Sequence, residues 1–270
     1  MTYYAGVDVG STYTKAVVVG DDGEIAGRAL LKTGFRLAEA ASEALESAAA
    51  AASLEPGELD YVTTTGYGRF QVSSRQLNVT DLTAAAFGAR FLYPQTRTVL
   101  DVGGQTMKVS RVDGTGKVVS FRLNDKCAAG TGAFLEKTAR YMGFGIEEVG
   151  PLASTSRSDV SISGVCAVFA EAEVINHLSQ GIAPADIMHG AIASLVSRSV
   201  QLMKRAKMEP EHTLIGGILR FETMASLLRE SLGGVVNVPS TDDVQHVLAL
   251  GAALAGRQRH RSVLAGRVHA

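Results

Sequence analysis

Tyr3-Tyr4-Ala5-Gly6-Val7-Asp8-Val9-Gly10-Ser11-Thr12, continued by Thr14-Lys15-Ala16-Val17-Val18-Val19, opens the chain and decides its fold, because the pattern is written twice. The second copy reads Thr98-Val99-Leu100-Asp101-Val102-Gly103-Gly104-Gln105, then Met107-Lys108-Val109-Ser110-Arg111-Val112. In both, an apolar strand-like run ends at Asp-Val-Gly, a tight polar turn follows, and Lys stands seven positions after Asp. Each copy then meets a second turn, Asp21-Asp22-Gly23 or Asp113-Gly114-Thr115-Gly116, and a further predicted strand over 25–31 or 118–123. The repetition predicts two related lobes, each opening with a strand–turn–strand meander.

The residue types in the turns point to an anionic ligand. Gly10, Gly103 and Gly104 let the backbone come close to a ligand and aim N–H groups at it. The hydroxyls of Ser11 and Thr12 and the amide of Gln105 add neutral donors. Lys15 and Lys108 are candidate counter-charges, unless they point outward from their strands. Asp8 and Asp101 stand just before the turns, where a carboxylate can orient Mg²⁺-bound waters or an attacking water. A polyphosphate held between two such hairpins accounts for all of these choices. One copy alone reads equally well as an ordinary hairpin; two at matched spacing favour nucleotide binding. A Walker A loop is absent, and a strand rather than a helix follows the glycines, which excludes a Rossmann fingerprint. The pattern resembles the α/β superfamily of actin, heat-shock chaperone ATPases and sugar kinases, a duplicated ribonuclease H-like ATPase fold whose two lobes clasp ATP.

The remaining chain suits that plan. Helices are predicted over 36–52, 81–92, 132–142, 167–180, 185–207 and 244–255, and strands over 61–65 and 212–215. The strand at 212–215 runs into Gly216-Gly217, which suits a backbone lying against adenine and ribose or a plain strand–helix turn. The predicted organisation is a first ATPase lobe over 1–94, a second over 95–257 and a basic tail over 258–270. Arg257, Arg259, His260, Arg261, Arg267 and His269 make that tail basic, and it reads as a frayed, solvated terminus.

Composition closes off other classes. The 270 residues are 46% hydrophobic and 20% charged with a net charge of −1, so no overall field points to nucleic acid or an anionic membrane. No segment approaches the roughly 20 apolar residues that span a bilayer, and no basic, then apolar, leader precedes the first strand. A cytoplasmic protein is expected. With no Trp and 6% aromatics, a sugar-stacking groove or single-strand nucleic-acid platform has little to build with.

The chain has two cysteines, too few for a disulfide framework. Cys127 stands in Asn124-Asp125-Lys126-Cys127-Ala128-Ala129-Gly130-Thr131-Gly132, and Cys166 in Ser163-Gly164-Val165-Cys166-Ala167-Val168-Phe169-Ala170-Glu171-Ala172-Glu173. Each follows a polar or glycine-bearing turn and precedes a predicted helix, whose unpaired N–H groups favour a thiolate. A lone Cys is more often a small buried hydrophobe, but here the settings match. Two thiolates cannot complete a cluster that needs four, whereas a two-fold dimer supplies four on its axis. A zinc site needs the same dimer and leaves Gly130, Thr131 and Gly132, which read as another phosphate-facing loop, without a purpose.

Taken in order, Asp-Val-Gly-Ser-Thr, Thr65-Gly66-Tyr67-Gly68-Arg69, Asp-Val-Gly-Gly-Gln and the two cysteine motifs resemble the BadF/BadG/BcrA/BcrD ATPase family over nearly the whole chain. This family includes 2-hydroxyacyl-CoA dehydratase activators and ATPase subunits of benzoyl-CoA reductase. The resemblance implies a homodimer, or a heterodimer with a sister ATPase subunit, sharing one 4Fe-4S cluster on residues matching Cys127 and Cys166. It implies Mg²⁺-ATP hydrolysis that drives a low-potential electron to a partner iron–sulfur dehydratase or reductase, with ferredoxin or flavodoxin as donor. For the attacking water the expected residue is Asp101 with Gln105 as orienter. Two departures fall where adenosine is expected. Ile218-Leu219-Arg220-Phe221 stands after Gly216-Gly217 where the family has small residues and an Asn, and before Gly251-Ala252-Ala253, where it has a Gln and a Gly, the stretch reads Asp243-Val244-Gln245-His246-Val247-Leu248-Ala249. Both lean toward a specialised reductase component. The alternative is a sugar or small-acid kinase of the same superfamily, whose base would be Asp60 or Asp81.

Overall fold

The computed structural model describes residues 2–124, 130–163 and 167–266, the side chains of Ala167 and Val168 excepted. Two compact units emerge. One gathers Met1–Gln95, Asp113–Val118 and Gln245–Ala270; the other gathers Thr96–Val112 and Val119–Val244.

The first unit is built on the opening meander. β1 (Tyr4–Val9) pairs antiparallel with β2 (Tyr13–Val19), and β2 pairs antiparallel with β3 (Ile25–Lys32). On its other side β1 pairs in parallel with β4 (Tyr61–Thr65), and β4 with the short β5 (Leu77–Asn78). The sheet order is β3-β2-β1-β4-β5. One face is covered by α1 (Leu37–Ala51), whose Ala40, Ala41, Ala44, Leu45, Ala48 and Ala49 form a single buried stripe at helical spacing. These pack with Ala5, Val7, Val9, Ala16 and Val18, the side chains that alternate onto that face of the strands. α2 (Asp81–Leu92) starts where the Thr80 hydroxyl accepts the N–H of Thr83.

The second unit repeats the plan. β6 (Thr98–Val102) pairs antiparallel with β7 (Met107–Val112) and parallel with β9 (His212–Ile215). With β8 (Val118–Asn124) and β10 (Val236–Asn237), the order is β10-β9-β6-β7-β8, the first sheet's order read with matching strands. Its core sets Leu100, Val102, Met107 and Val109 against Ile187, Met188, Ile192 and Leu195 of α6 (Pro184–Arg205). α3 (Gly132–Tyr141) adds Phe134 and Leu135, and α5 (Ala167–Ser179) adds Ala170 and Val174. The two-lobed α/β architecture expected from the repeat is therefore present as two sheets of the same connectivity.

Three expectations need correcting. The helix predicted over 244–255 begins later and runs on: α8 is Val247–Leu264. It packs on β1, β2 and β4, so the closing segment belongs with the first unit and the simple division at 94 and 257 does not follow the contacts. Gly251 lets α8 lie close to α2 as well: it faces the backbone carbonyl of Ala84, where a Cβ would collide with the oxygen. Its place is in helix packing. Nor is the start of the basic tail frayed. Arg261 pairs with Asp21 at 2.7 Å, and the His260 ring stacks on Tyr61 at 5.2 Å and meets Tyr4 edge-on at 5.8 Å. Those residues anchor α8 to the sheet. Finally, α4 (Val149–Ser154) and α7 (Glu222–Leu232) had no counterpart in the pattern of the sequence. α7 ends where Gly233 and Gly234 both take positive φ, which stops a helix.

Candidate nucleotide site

The site residues lie where the two central strands end. In the first unit Asp8 is buried, and across the β1–β2 ladder it faces Lys15, whose Nζ sits 3.1 Å from Asp8 Oδ2. Lys15 thus points to the turn side rather than outward. In the second unit the register repeats this pairing: Asp101 is buried and stands opposite Lys108. Gly10, Gly103 and Gly104 occupy the turns beyond, with Ser11 and Gln105 exposed and Thr12 half-buried.

Each aspartate has a glycine beside it that the repeat in the strands did not reveal. Gly66 follows β4 with φ +86°, and a Cβ there would lie 2.5 Å from Asp8 Oδ1. Gly216 follows β9 with φ +99°, and a Cβ there would lie 2.7 Å from Asp101 Oδ1. Because β4 and β9 are the parallel neighbours of β1 and β6, both glycines bring a backbone against the carboxylate in the same way. Such φ values suit glycine alone among common residues. Thr65, aligned with Asp8, is fully buried, and its hydroxyl has no partner among the described residues. It is a site candidate that only the fold exposes.

The turns differ in what holds their carbonyls. In the first, the Thr33 hydroxyl donates to the Gly10 carbonyl at 2.8 Å, and the Thr33 N–H donates to the Thr12 carbonyl at 3.0 Å. In the second, the N–H of Gly132 donates to the Gly103 carbonyl at 3.0 Å and that of Ala133 to the Gly104 carbonyl at 2.8 Å. Gly130, Thr131 and Gly132 are accordingly buried. The first amides of α3, those of Gly132 and Ala133, are thus given to the backbone of this turn. Ile218 fills the space left by the missing Cβ of Gly132, while Leu219 and Phe221 join the core and Arg220 pairs with Glu147. The unusual residues after Gly217 therefore serve packing. Gly217 itself is half-buried beside Gly216.

Cys127 and Cys166 lie outside the described residues. Their flanks do not. The side-chain amide of Asn124, at the end of β8, packs against Gly130, and α5 begins at the residue after Cys166. Among the described residues no group of three or more His, Cys, Asp or Glu is arranged to hold a metal, and no helix is long and apolar enough to cross a membrane.

The sequence profile of the BadF/BadG/BcrA/BcrD ATPase family matches residues 5–256. The chain belongs to that family. A benzoyl-CoA reductase component from Thauera aromatica is 34% identical over 97% of this chain and 96% of its own length. The activator of the 2-hydroxyisocaproyl-CoA dehydratase from Clostridium difficile, solved with bound ADPNP, superposes with a TM-score of 0.91 at 33% identity, covering 100% of this chain and 99% of that one. A Streptomyces griseus ROK family glucokinase reaches a TM-score of 0.57 at 16% identity over 95% of this chain and 99% of its own, which shows a shared fold and nothing more. Membership of this ATPase family makes ATP the ligand of this chain.

Proposed function

We propose that this chain is an ATP-hydrolysing electron donor in which nucleotide at the two turns repositions the helices that follow Cys127 and Cys166. The observation that carries the reading is the pair of hydrogen bonds from Gly132 and Ala133 to the Gly103 and Gly104 carbonyls, because it joins the nucleotide turn to the helix after Cys127.

In this reading the backbone amides at Gly10, Gly103 and Gly104, with Ser11, Thr12 and Gln105, donate to the phosphates. Lys15 and Lys108 balance their charge. Asp8 orients Mg²⁺-bound water, and Asp101, with Gln105, orients the attacking water. Positive-φ Gly66 and Gly216 keep both carboxylates against backbone, so that their rotamers are fixed before nucleotide arrives.

Cys127 and Cys166 of this chain, with two thiolates of an identical or sister chain, would hold a 4Fe-4S cluster. The residues present fit such a group. Thiolates are its ordinary ligands, two per chain call for the dimer, and α3 and α5 lie side by side, joined by the Lys137–Glu171 ion pair at 2.7 Å. When bound, the cluster would supply one-electron chemistry at a potential set by its surroundings. The acceptor would be an iron–sulfur acyl-CoA dehydratase or reductase, the donor a ferredoxin or flavodoxin, and the compartment the cytoplasm. Of the candidate bases of the metabolite-kinase alternative, Asp60 accepts the N–H of Tyr3 at 2.8 Å, and Asp81 accepts the N–H of Leu82 at the start of α2.

Protein purified without oxygen is expected to carry about two irons per chain, half of a four-iron cluster, and to hydrolyse ATP. Cys127→Ser and Cys166→Ser should each remove the iron while leaving a folded chain by circular dichroism. Iron-free wild-type protein, or iron retained in both variants, defeats the reading.

A further inference from the structure

The Cys166 motif contains two carboxylates, Glu171 and Glu173, that binding and hydrolysis of nucleotide do not use. Glu171 lies on α5 with only 17% of its side chain exposed. It accepts from Lys137 Nζ at 2.7 Å and from the Tyr141 hydroxyl at 3.4 Å. Both donors are on α3, four residues apart and so on the same helix face. Glu173 reaches the other way and accepts the backbone N–H of Ser163, in the segment that leads into Cys166. One carboxylate thus ties α5 to the helix after Cys127, and the other ties it to the approach to Cys166.

The connection continues. α3 hangs from the second turn by the hydrogen bonds of Gly132 and Ala133. Its apolar contact with α5, through the core that Phe134 and Leu135 share with Ala170 and Val174, is non-directional and permits rotation or sliding. A two-point attachment of one carboxylate to Lys137 and Tyr141 does fix direction. Lys137 is half-exposed, so the pair adds little to global stability, and its worth lies in orientation.

We propose that the Lys137–Glu171 pair is a yoke that makes α5 follow α3, so that the segments bearing Cys127 and Cys166 answer together to the nucleotide held at the second turn. Glu171 and Lys137 are positioning residues, acting through the two helices and not on a ligand. The inference rests on the electron-donor reading for its purpose, but its hydrogen-exchange test is independent of iron.

The full chain, purified without oxygen, is compared by amide hydrogen exchange with Mg²⁺-ADP and with a non-hydrolysable ATP analogue. In the wild type the difference between nucleotides appears in both α3 and α5. In Glu171→Gln and in Lys137→Met the α3 response persists and the α5 response falls by at least about three-fold, within the range that single residues move coupling. The exchanged pair, Lys137→Glu with Glu171→Lys, restores part of the α5 response. A parallel measurement follows the rate at which bipyridyl removes iron, whose nucleotide dependence falls in the single variants and returns in the exchanged pair. The yoke is overturned if α5 responds as in the wild type in both single variants, or if wild-type α5 does not respond with α3. Absence of iron from the wild type would sink the electron-donor reading alone, since the exchange data still judge the yoke.

Discussion

The two Asp-Val-Gly turns share a strand register, an aspartate opposite a lysine and a positive-φ glycine beside the carboxylate, yet their carbonyls are held by different parts of the molecule. The Gly10 carbonyl accepts from Thr33, the residue that closes the same meander. The corresponding Gly103 carbonyl accepts from the first amide of α3. The two turns therefore match in their strands and glycines and differ in the segment that braces them. A turn braced by its own sheet has nothing to move. In the proposed function a turn braced by a helix start passes its displacement to that helix, here α3, which follows Cys127 in the sequence.

The comparison predicts unequal roles for the aspartates, and this is where the largest effect is expected. Asp101→Asn should lower the turnover number for ATP by about 10²–10⁴-fold, the range for a positioned proton-handling group. Asp8→Asn removes the charge partner of Lys15 and should act mainly on Mg²⁺-nucleotide binding, seen as a raised KM with a smaller loss of kcat. Steady-state kinetics over a range of Mg²⁺ separates the two. Equal kcat losses from both variants would show that the turns are equivalent in function and break the comparison at its centre.

A smaller effect tests the bracing itself. The Thr33 hydroxyl is buried and meets both the Gly10 carbonyl and the Thr14 hydroxyl, at 2.8 and 3.0 Å. Thr33→Val keeps the shape and leaves those partners unsatisfied, at a cost of about 1–3 kcal/mol in denaturant unfolding. The nucleotide-dependent exchange of α3 and α5 should be unchanged. A Thr33→Val chain that unfolds normally but loses that response would mean the first turn signals as well.

How much of this was legible in the sequence follows from the range of each interaction. The strands of the two meanders and the Asp–Lys spacing were readable because a hairpin is local and its register follows from residue spacing, whereas the short β5 and β10 were not. Asp81–Leu92 and Tyr61–Thr65 were read to the residue because Thr80, the alanine pattern and Gly66 mark their ends. What escaped depends on partners far along the chain. Nothing local shows that α8 returns to β1, or that Arg261 would meet Asp21. The equivalence of Gly66 and Gly216 was hidden because it arises from parallel pairing across long crossovers. The bonds from Gly132 and Ala133 to the second turn were hidden for a related reason: a glycine-rich loop next to a helix start looks the same in sequence whatever its amides meet.

The smallest predicted effect comes from a position where the duplicated sheets diverge. Val62 pairs with Ala5, and His212 pairs with Thr98, three residues before the aspartate in each unit. Val62 is an ordinary core side chain, whereas His212 is buried with Nδ1 lacking a partner among the described residues. Burial pushes the His212 imidazole below its usual value of 6.5. Above that pH both folded and unfolded chains hold it neutral. As pH falls below 6.5, the unfolded chain takes up a proton that the folded chain refuses, so stability declines until the folded pKa is also passed. Asp186, held low by hydrogen bonds from the Arg157 N–H, the Ser156 hydroxyl and the Ser158 N–H, loses its contribution only below the ordinary carboxylate value of 3.8. His212→Val, which writes the first sheet's residue into the second, should flatten the loss of denaturation midpoint between about pH 7 and about pH 5. An unaltered slope in the variant would place the acid sensitivity elsewhere and leave the histidine as a packing substitute for valine.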